Sequence, residues 1–226
     1  MMNRNDAFTT KIYGDLSRAD AVVLSELARR SKHILEFGVG ASSYILHQNA
    51  DRHATILHVD TDARWIELTQ KNMPSLVSEE YDPTPNFEFY HLNYDIEAYK
   101  ACGEIISKYE FCKNCPPMGA RQYDLILVDG FTPLRETFMF EAWPLLSVGG
   151  SVLLHDSRRE WVACFVANLI REKFLEIEDV KFHPLDSNMA VIRKGETKQY
   201  YDWNKTEAGN NRENPLFTVM AAKGQS

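Results

Sequence analysis

The stretch HILEFGVGASSYILHQNADRHATILHVD, residues His33 to Asp60, decides the fold. It contains a short apolar strand, a glycine turn, a helix and a second apolar strand that ends in an acid. The same alternation of strand and helix continues along the chain, and most strands are near-continuous runs of Val, Ile and Leu. Such runs are typical of strands that are covered on both faces. The pattern therefore predicts an α/β fold with a doubly wound, largely parallel sheet.

Several segments have the pattern of strands, and the last two are joined by a short link. In chain order they are HILEFG, TILHVD, FEFYHLNYD, YDLILVDG, SVLLHD, LEIEDVKFHP and NMAVIRK. Helix starts are marked by polar residues whose side chains accept hydrogen bonds from the first backbone N–H groups. The expected caps are Ser17 with Asp20, Ser42 or Ser43, Asp62, Thr132 before Pro133, and Ser157 in the sequence Ser-Arg-Arg-Glu.

The chain length sets the domain organisation. With 226 residues, of which 44% are hydrophobic, the chain is long enough for one sizeable core. We expect a single domain over residues 1–195, with a helical N-terminal segment at 1–31. Residues 196–226 are polar and rich in asparagine, and we expect a C-terminal tail there.

Charge and cysteine usage exclude several classes of partner. The formal net charge is −7, and no Lys/Arg-rich run is present, which disfavours nucleic acid. No apolar run approaches the roughly 20 residues that span a bilayer, so we expect no membrane partner and a cytoplasmic location. The four cysteines are then expected to be reduced. Cys112 and Cys115 form a CxxC pair, but a structural zinc site needs about four ligands and no second pair exists.

In a doubly wound sheet, ligands bind at the carboxyl ends of the strands. The residues just past the strands therefore carry the functional information, and acids recur there. Five clusters of residues lie at these strand ends: 36–43, 60–62, 93–95, 129–133 and 155–157.

The first turn contains an acid and two glycines. Gly38 and Gly40 allow a tight turn and a close approach of a ligand to the backbone. Position 43 is Ser, so the third glycine of a dinucleotide fingerprint is missing. Glu36 would repel a pyrophosphate but suit an ammonium group, which disfavours NAD and a dehydrogenase. Asp60 lies 22 residues after Gly38, where a carboxylate accepts hydrogen bonds from ribose hydroxyls.

These residues, followed by YDLILVDG and LLSVGGSVLLHD, resemble the class I S-adenosylmethionine-dependent methyltransferase family over roughly residues 16–194. The resemblance implies a seven-stranded sheet whose last strand is antiparallel, and S-adenosylmethionine as the cofactor. It implies that Glu36 faces the methionine amino group through the glycine turn and that Asp60 holds the ribose. The implied cofactor-binding residues are Glu36, Gly38, Gly40, Ser42, Ser43, Asp60, Asn93, Tyr94, Asp95 and Asp129.

The catechol type within this family binds Mg²⁺ through an acid after strand four and an acid-plus-amide pair after strand five. Asp129 and Asp156 match the two acids, so a Mg²⁺ ion is one implied option. The chain departs from this pattern twice. Ser157 stands where the amide is expected, and Thr132 stands where the family has a lysine base.

Without that lysine, His155 is the best candidate for the base, because a histidine can take a hydroxyl proton near neutral pH. A neutral structural histidine is the alternative. If the strand pleat continues through His155 and Asp156, their side chains point to opposite faces. Arg135 and Arg158 flank the expected crevice. A solvated helix face is the expected place for both, and binding of an anionic substrate is the alternative.

The sequence thus predicts a methyltransferase that modifies a hydroxyl of a small molecule or sugar, with Asp129, Asp156 and His155 in catalysis. Two alternatives stay open. An aminopropyltransferase of the spermidine synthase kind shares the fold but has Asp-Ser-Ser-Asp-Pro where this chain has DGFTP. An inactive binding module on the same fold is the other. Neither the acceptor nor the oligomeric state can be read from the sequence, and a homodimer is one option.

Overall fold

The computed structural model describes residues 16–73, 85–93, 115–119, 121–182 and 187–198. The chain divides into a compact unit of residues 1–196 and a second unit of residues 197–226, of which only 197 and 198 are described. The predicted strands and most predicted helices are present in the first unit. Tyr94, Asp95 and Cys112 lie outside the described residues.

Seven strands and six α-helices are found in the described part of the chain. The strands are β1 His33–Phe37, β2 Thr55–Asp60, β3 Asn86–His91, β4 Tyr123–Val128, β5 Leu146–Leu154, β6 Ile177–Phe182 and β7 Ala190–Lys194. The helices are α1 Arg18–Ala28, α2 Ala41–Asn49, α3 Ala63–Asn72, α4 Pro116–Gly119, α5 Arg135–Ala142 and α6 Glu160–Lys173. Short 3-10 turns at Thr132–Leu134, Trp143–Leu145 and Phe174–Glu176 adjoin the last two helices.

All seven strands form one sheet in the order β3-β2-β1-β4-β5-β7-β6. The first five strands run parallel to one another, and β7 is antiparallel to both β5 and β6. The predicted doubly wound sheet with an antiparallel last strand is therefore confirmed. The strand order reverses between β1 and β4, and the crevice at such a point is where ligands bind in this type of sheet.

Both faces of the sheet are buried, because alternate residues of each central strand point to opposite sides. One side of β1 and β4 carries Leu35, Phe37, Ile126 and Val128, which pack with α5 and α6. The other side carries Ile34, Leu125 and Leu127, which pack with α1 and α2. Packing on both faces accounts for the continuous apolar runs in the sequence.

Two of the predicted caps are confirmed. The Ser17 hydroxyl accepts a hydrogen bond from the Asp20 N–H at 3.1 Å, while the Asp20 carboxylate accepts one from the Ser17 N–H at 2.9 Å. The Asp62 carboxylate accepts a hydrogen bond from the N–H of Arg64 at the start of α3.

The other predicted caps are wrong. Helix α2 begins one residue after Gly40, so Ser42 and Ser43 lie inside it. Thr132 opens a 3-10 turn without capping it. Helix α6 begins at Glu160, three residues later than predicted, because the Ser157 hydroxyl donates to the Asn188 carbonyl at 3.1 Å instead.

In the described part of the chain, no helix combines the length and the apolar character needed to cross a membrane.

Candidate active site

A cleft of about 350 Å³ opens at the carboxyl ends of the central strands, within the range of small-molecule sites. It lies at the predicted position, where the strand order reverses between β1 and β4. Its lining comes from the turns after β1, β2, β4 and β5 together with one residue before α1. The described lining residues are Leu16, Gly38 to Ser42, Asp60 to Asp62, Trp65, Asp129 to Phe131, Arg135, Asp156 and Arg159.

Gly38 allows the ends of β1 and β4 to approach closely. It has a φ of +88°, and a Cβ at this position would lie 2.5 Å from the backbone carbonyl of Asp129 and from the Cα of Gly130. A backbone hydrogen bond from Asp129 N–H to Phe37 C=O at 2.8 Å fixes the same contact, and Gly38 N–H donates to Val59 C=O in β2 at 2.8 Å. Glycine is therefore required here twice over, by its conformation and by the space available.

Asp60 faces the cleft from the end of β2. One carboxylate oxygen accepts a hydrogen bond from the Val39 N–H at 2.9 Å, and the other from the Asp62 N–H at 2.8 Å. Burial raises the pKa of Asp60, and the two backbone N–H groups oppose that rise. Each carboxylate oxygen keeps a second lone pair, so the side chain can still accept hydrogen bonds from a diol.

Glu36 lies beneath the glycine turn and does not line the cleft. Its side chain is 0% exposed, and one oxygen, Oε2, accepts hydrogen bonds from the Ser43 hydroxyl at 2.6 Å and from Nδ1 of His58. The Ser43 hydroxyl also accepts a hydrogen bond from the Gly40 N–H at 3.1 Å. Glu36 thus holds the turn through Ser43, while its Oε1 is buried with no described partner.

His58 continues this network away from the cleft. Its Nε2 lies 3.0 Å from Nε2 of His47, which is also buried. Burial and the neighbouring His58 lower the pKa of His47 to about 3, so His47 is neutral near pH 7. His58 and Glu36 are paired in the β1–β2 register, which explains why a charged side chain is tolerated in the middle of the sheet.

Of the other predicted cofactor-binding residues, some line the cleft and others do not. Gly40 and Ser42 line the cleft beside Gly38 and Asp60. Asn93 follows β3 and is exposed, and it is not among the described lining residues. Its neighbours Tyr94 and Asp95, expected near an adenine, lie outside the described residues.

Asp129, His155 and Asp156 converge at the opposite end of the cleft. Each offers a potential ligand atom, and these atoms lie within 4.8 Å of one another. The strand pleat does not continue through His155 and Asp156, because β5 ends at Leu154 and Asp156 has a φ of 60°. This left-handed conformation is unusual for a residue with a Cβ and turns the Asp156 side chain back toward Asp129.

Arg135 lies between the two acids. Its guanidinium contacts an Asp129 carboxylate oxygen at 3.0 Å and an Asp156 carboxylate oxygen at 3.0 Å. The residue is only 5% exposed, so the expectation of a solvated helix face is wrong for Arg135. A cation at the first residue of a helix opposes the helix dipole, and the two acids supply the compensating charge.

His155 is an internal ion-pair partner. The residue is 1% exposed, its Nδ1 lies 2.9 Å from Asp129 Oδ1, and its Nε2 lies 3.5 Å from Asp20 Oδ2. Burial opposes a charge on the imidazole, but the hydrogen bond to Asp129 and the nearby Asp20 carboxylate outweigh it and raise the pKa of His155 to about 10. His155 is not among the described residues that line the cleft, and its role as the base stays a prediction.

Solved structures with the same architecture are numerous. TomG, the O-methyltransferase of tomaymycin synthesis from Streptomyces achromogenes, was solved with S-adenosylmethionine; it is 15% identical, with a TM-score of 0.53 over 80% of this chain and 82% of its own. An O-methyltransferase from Bacillus cereus in complex with SAH is 11% identical, with a TM-score of 0.52 over 83% and 86%. Cofactor-bound Rv0187 from MTB is 12% identical, with a TM-score of 0.58 over 84% and 86%.

The chain has the class I methyltransferase fold. No protein-family model matches the sequence, and no curated protein matches it either. At these identities the likeness concerns the fold.

The methyltransferase fold places the cleft over the glycine turn and Asp60, and the residues there fit S-adenosylmethionine. The turn after β1 presents backbone to the cleft without a bulky side chain at Gly38 or Gly40. Asp60 offers carboxylate oxygens to a diol, and the carboxylates of Asp62 and Asp129 suit a cationic ligand.

Asp129 and Asp156, predicted as Mg²⁺ ligands, lie close enough together to share an ion. They fit one poorly, because Arg135 already lies between them. At an effective dielectric constant of about 20, a doubly charged ion about 4 Å from a guanidinium is repelled by about 8 kcal/mol, which offsets the attraction of one of the two carboxylates. Their role as metal ligands stays a prediction.

Sequence reasoning missed the roles of two residues at this methyltransferase-type cleft. Arg135 was assigned to solvent, although a cation at a helix start just past a strand end signals a nearby acid. Asp20 was interpreted as a cap alone, yet its carboxylate also accepts hydrogen bonds from the Ser187 hydroxyl and the Asn188 N–H. The sequence gives no signal for the second role, because these partners lie more than 160 residues away.

Proposed function

We propose that this protein is an S-adenosylmethionine-dependent methyltransferase that modifies a hydroxyl group of a small molecule or sugar. The observation that supports it is the meeting of three features in one cleft. These are the turn at Gly38, the Asp60 carboxylate at one end and the Asp129 carboxylate at the other. The cytoplasmic location and the homodimer remain predictions.

Bound S-adenosylmethionine would supply an electrophilic methyl group on a sulfonium centre. Asp60 accepts the hydrogen bonds of the ribose hydroxyls, and its contacts with Val39 and Asp62 hold it in place before the ligand arrives. The turn from Gly38 to Gly40 holds the methionine portion, and Glu36 fixes that turn through Ser43. This prearrangement lowers the entropy cost of aligning the reacting groups.

Asp129 is the group that receives the acceptor. Its Oδ1 is taken by Arg135 and His155, and no described residue donates a hydrogen bond to its Oδ2. Because Asp129 lines the cleft, Oδ2 can accept the hydrogen bond of an acceptor hydroxyl and take its proton as the oxygen–methyl bond forms. Arg135 and His155 hold the Asp129 carboxylate through Oδ1, which leaves Oδ2 for the acceptor.

Binding and turnover separate this proposal from its alternatives. We expect calorimetry to detect S-adenosylmethionine and its demethylated product but not NADH, and product formation to be seen with a panel of hydroxyl compounds. Cofactor binding without turnover on any acceptor would favour the inactive binding module. Turnover of decarboxylated S-adenosylmethionine with an amine would favour the aminopropyltransferase.

A further inference from the structure

The cluster of Asp129, His155 and Asp156 has the composition of a divalent-metal site. Three potential ligand atoms lie within 4.8 Å of one another, at the carboxyl ends of two adjacent strands. Two carboxylates at this spacing would ordinarily attract a hard cation, since unpaired buried acids are costly. The cation that the chain itself supplies is the guanidinium of Arg135.

Arg135 makes four hydrogen bonds inside this cluster. Its Nε donates to the Gly130 carbonyl at 2.9 Å. Its Nη1 donates to the His155 carbonyl at 3.1 Å and to Asp156 Oδ2 at 3.0 Å. Its Nη2 donates to the Asp129 carbonyl at 3.4 Å and forms an ion pair with Asp129 Oδ1 at 3.0 Å. Four of the five N–H groups that a guanidinium carries are therefore used here.

The carboxylate oxygens that would ligate a metal are correspondingly occupied. The second oxygen of Asp156, Oδ1, accepts a hydrogen bond from the Asn188 side-chain amide at 3.0 Å and forms an ion pair with Arg159 at 3.2 Å. In Asp129, Oδ1 is shared by Arg135 and His155, and only Oδ2 has no described donor. A metal ion would have to displace the guanidinium from both acids.

We propose that Arg135 is a built-in substitute for a divalent cation: it bridges Asp129 and Asp156, so that this site works without metal. A planar guanidinium with several fixed donors holds two carboxylates in a defined geometry, as a metal would, but it offers no open position to a substrate oxygen. Arg135 is therefore a positioning residue, and Asp129 is the residue that accepts the hydrogen bond of the acceptor hydroxyl.

The role of Arg135 in turnover rests on the proposed function, whereas the exclusion of metal does not. The test is therefore a binding titration with Mn²⁺ alone, followed by the electron paramagnetic resonance signal of the free ion. We expect no binding to the wild-type protein tighter than about 1 mM. We expect Arg135→Ala, which vacates the space between the acids, to bind Mn²⁺ at least tenfold more tightly than wild type. The double variant Arg135→Ala/Asp129→Asn should lose that gain.

Arg135→Lys is the matched control, because it keeps a cation and should remain insensitive to Mn²⁺. If Arg135→Ala does not fold with or without Mn²⁺, the titrations of wild type and Arg135→Lys test the proposal. Sub-millimolar Mn²⁺ binding to wild type that Asp129→Asn removes would overturn the proposal. Methyl transfer that stops on addition of EDTA and resumes with Mg²⁺ would overturn it as well.

Discussion

Nδ1 of His155 lies 2.9 Å from Oδ1 of Asp129, so an imidazole at the end of one central strand is paired with the acid at the end of the next. The pair is buried on the histidine side and open to the cleft on the aspartate side. The consequence is that His155 holds Asp129 in place, while Asp129 is the member of the pair that lines the cleft.

The stability of the protein should therefore fall at alkaline pH. The folded-state pKa of His155 is raised to about 10 from an ordinary value of 6.5, so its contribution is full below pH 6.5 and disappears as pH rises toward 10. The unfolding free energy should fall by up to about 1.4 kcal/mol per pH unit. Urea unfolding from pH 6 to 10 should show this fall in wild type and a flatter profile in His155→Gln. Parallel profiles would show that His155 is not charged in the folded protein.

His47 should produce the opposite dependence at acidic pH. Burial and the neighbouring His58 lower its folded-state pKa to about 3, whereas an unfolded histidine takes up a proton near pH 6.5. Its contribution to stability is present above pH 6.5 and is lost as pH falls toward 3. Between pH 6.5 and 4, unfolding free energy should fall less in His47→Phe than in wild type. His53→Gln, at an exposed histidine, should follow wild type; an identical response from both variants would contradict the assignment.

Gly38→Ala should be strongly destabilising. The added Cβ would lie 2.5 Å from the Asp129 backbone, in addition to the strain of a φ of +88°. We expect a loss of about 3 kcal/mol or more in unfolding free energy. Gly149→Ala is the matched control, because its φ is +83° but the nearest atom, at the end of the Arg193 side chain, is 3.9 Å away. We expect about 1 kcal/mol there. Equal losses in the two variants would mean that the close approach of β1 and β4 is not what Gly38 provides.

Asp156→Asn should separate catalysis from cofactor binding. The amide keeps the size and the tolerance for a left-handed backbone but loses the charge that pairs with Arg135. We expect kcat to fall by about 100-fold, since misplacement of positioned groups by about 1 Å has effects of that size. Affinity for S-adenosylmethionine should stay within about twofold in calorimetry. Wild-type turnover in this variant would make Asp156 a purely structural residue.

The sheet was predictable from the sequence because each strand is marked by the pattern of its own neighbouring residues. Runs such as LILV, residues 125–128, have no polar position, which requires burial on both faces, and the acids that end the strands mark the edge where the cleft lies. The position of Asp60 beside the glycine turn followed from the same pattern, and the structure places both in one cleft.

The catalytic end was harder to predict, because its chemistry depends on contacts between distant segments. His155 is a reasonable base by residue type, but Asp20 and Asp129, far apart in sequence, make it a cation. Arg135 has an ordinary helix-start position in the sequence, and only the turn at Asp156 brings its second acid partner within 3.0 Å. The missed caps have the same origin, since Ser157 is bonded to Asn188 rather than to its own helix.

The central claim is that the turn at Gly38 and the carboxylate of Asp60 form a site for a sulfonium nucleoside. The most direct test is calorimetric titration of wild type and Asp60→Asn with S-adenosylmethionine, with Asp179→Asn, at the far edge of the sheet, as the control. We predict that wild type and the control bind alike and that Asp60→Asn binds about 10- to 100-fold more weakly, from the lost ribose hydrogen bonds. Binding of NADH in place of S-adenosylmethionine, or unchanged affinity in Asp60→Asn, would contradict the account.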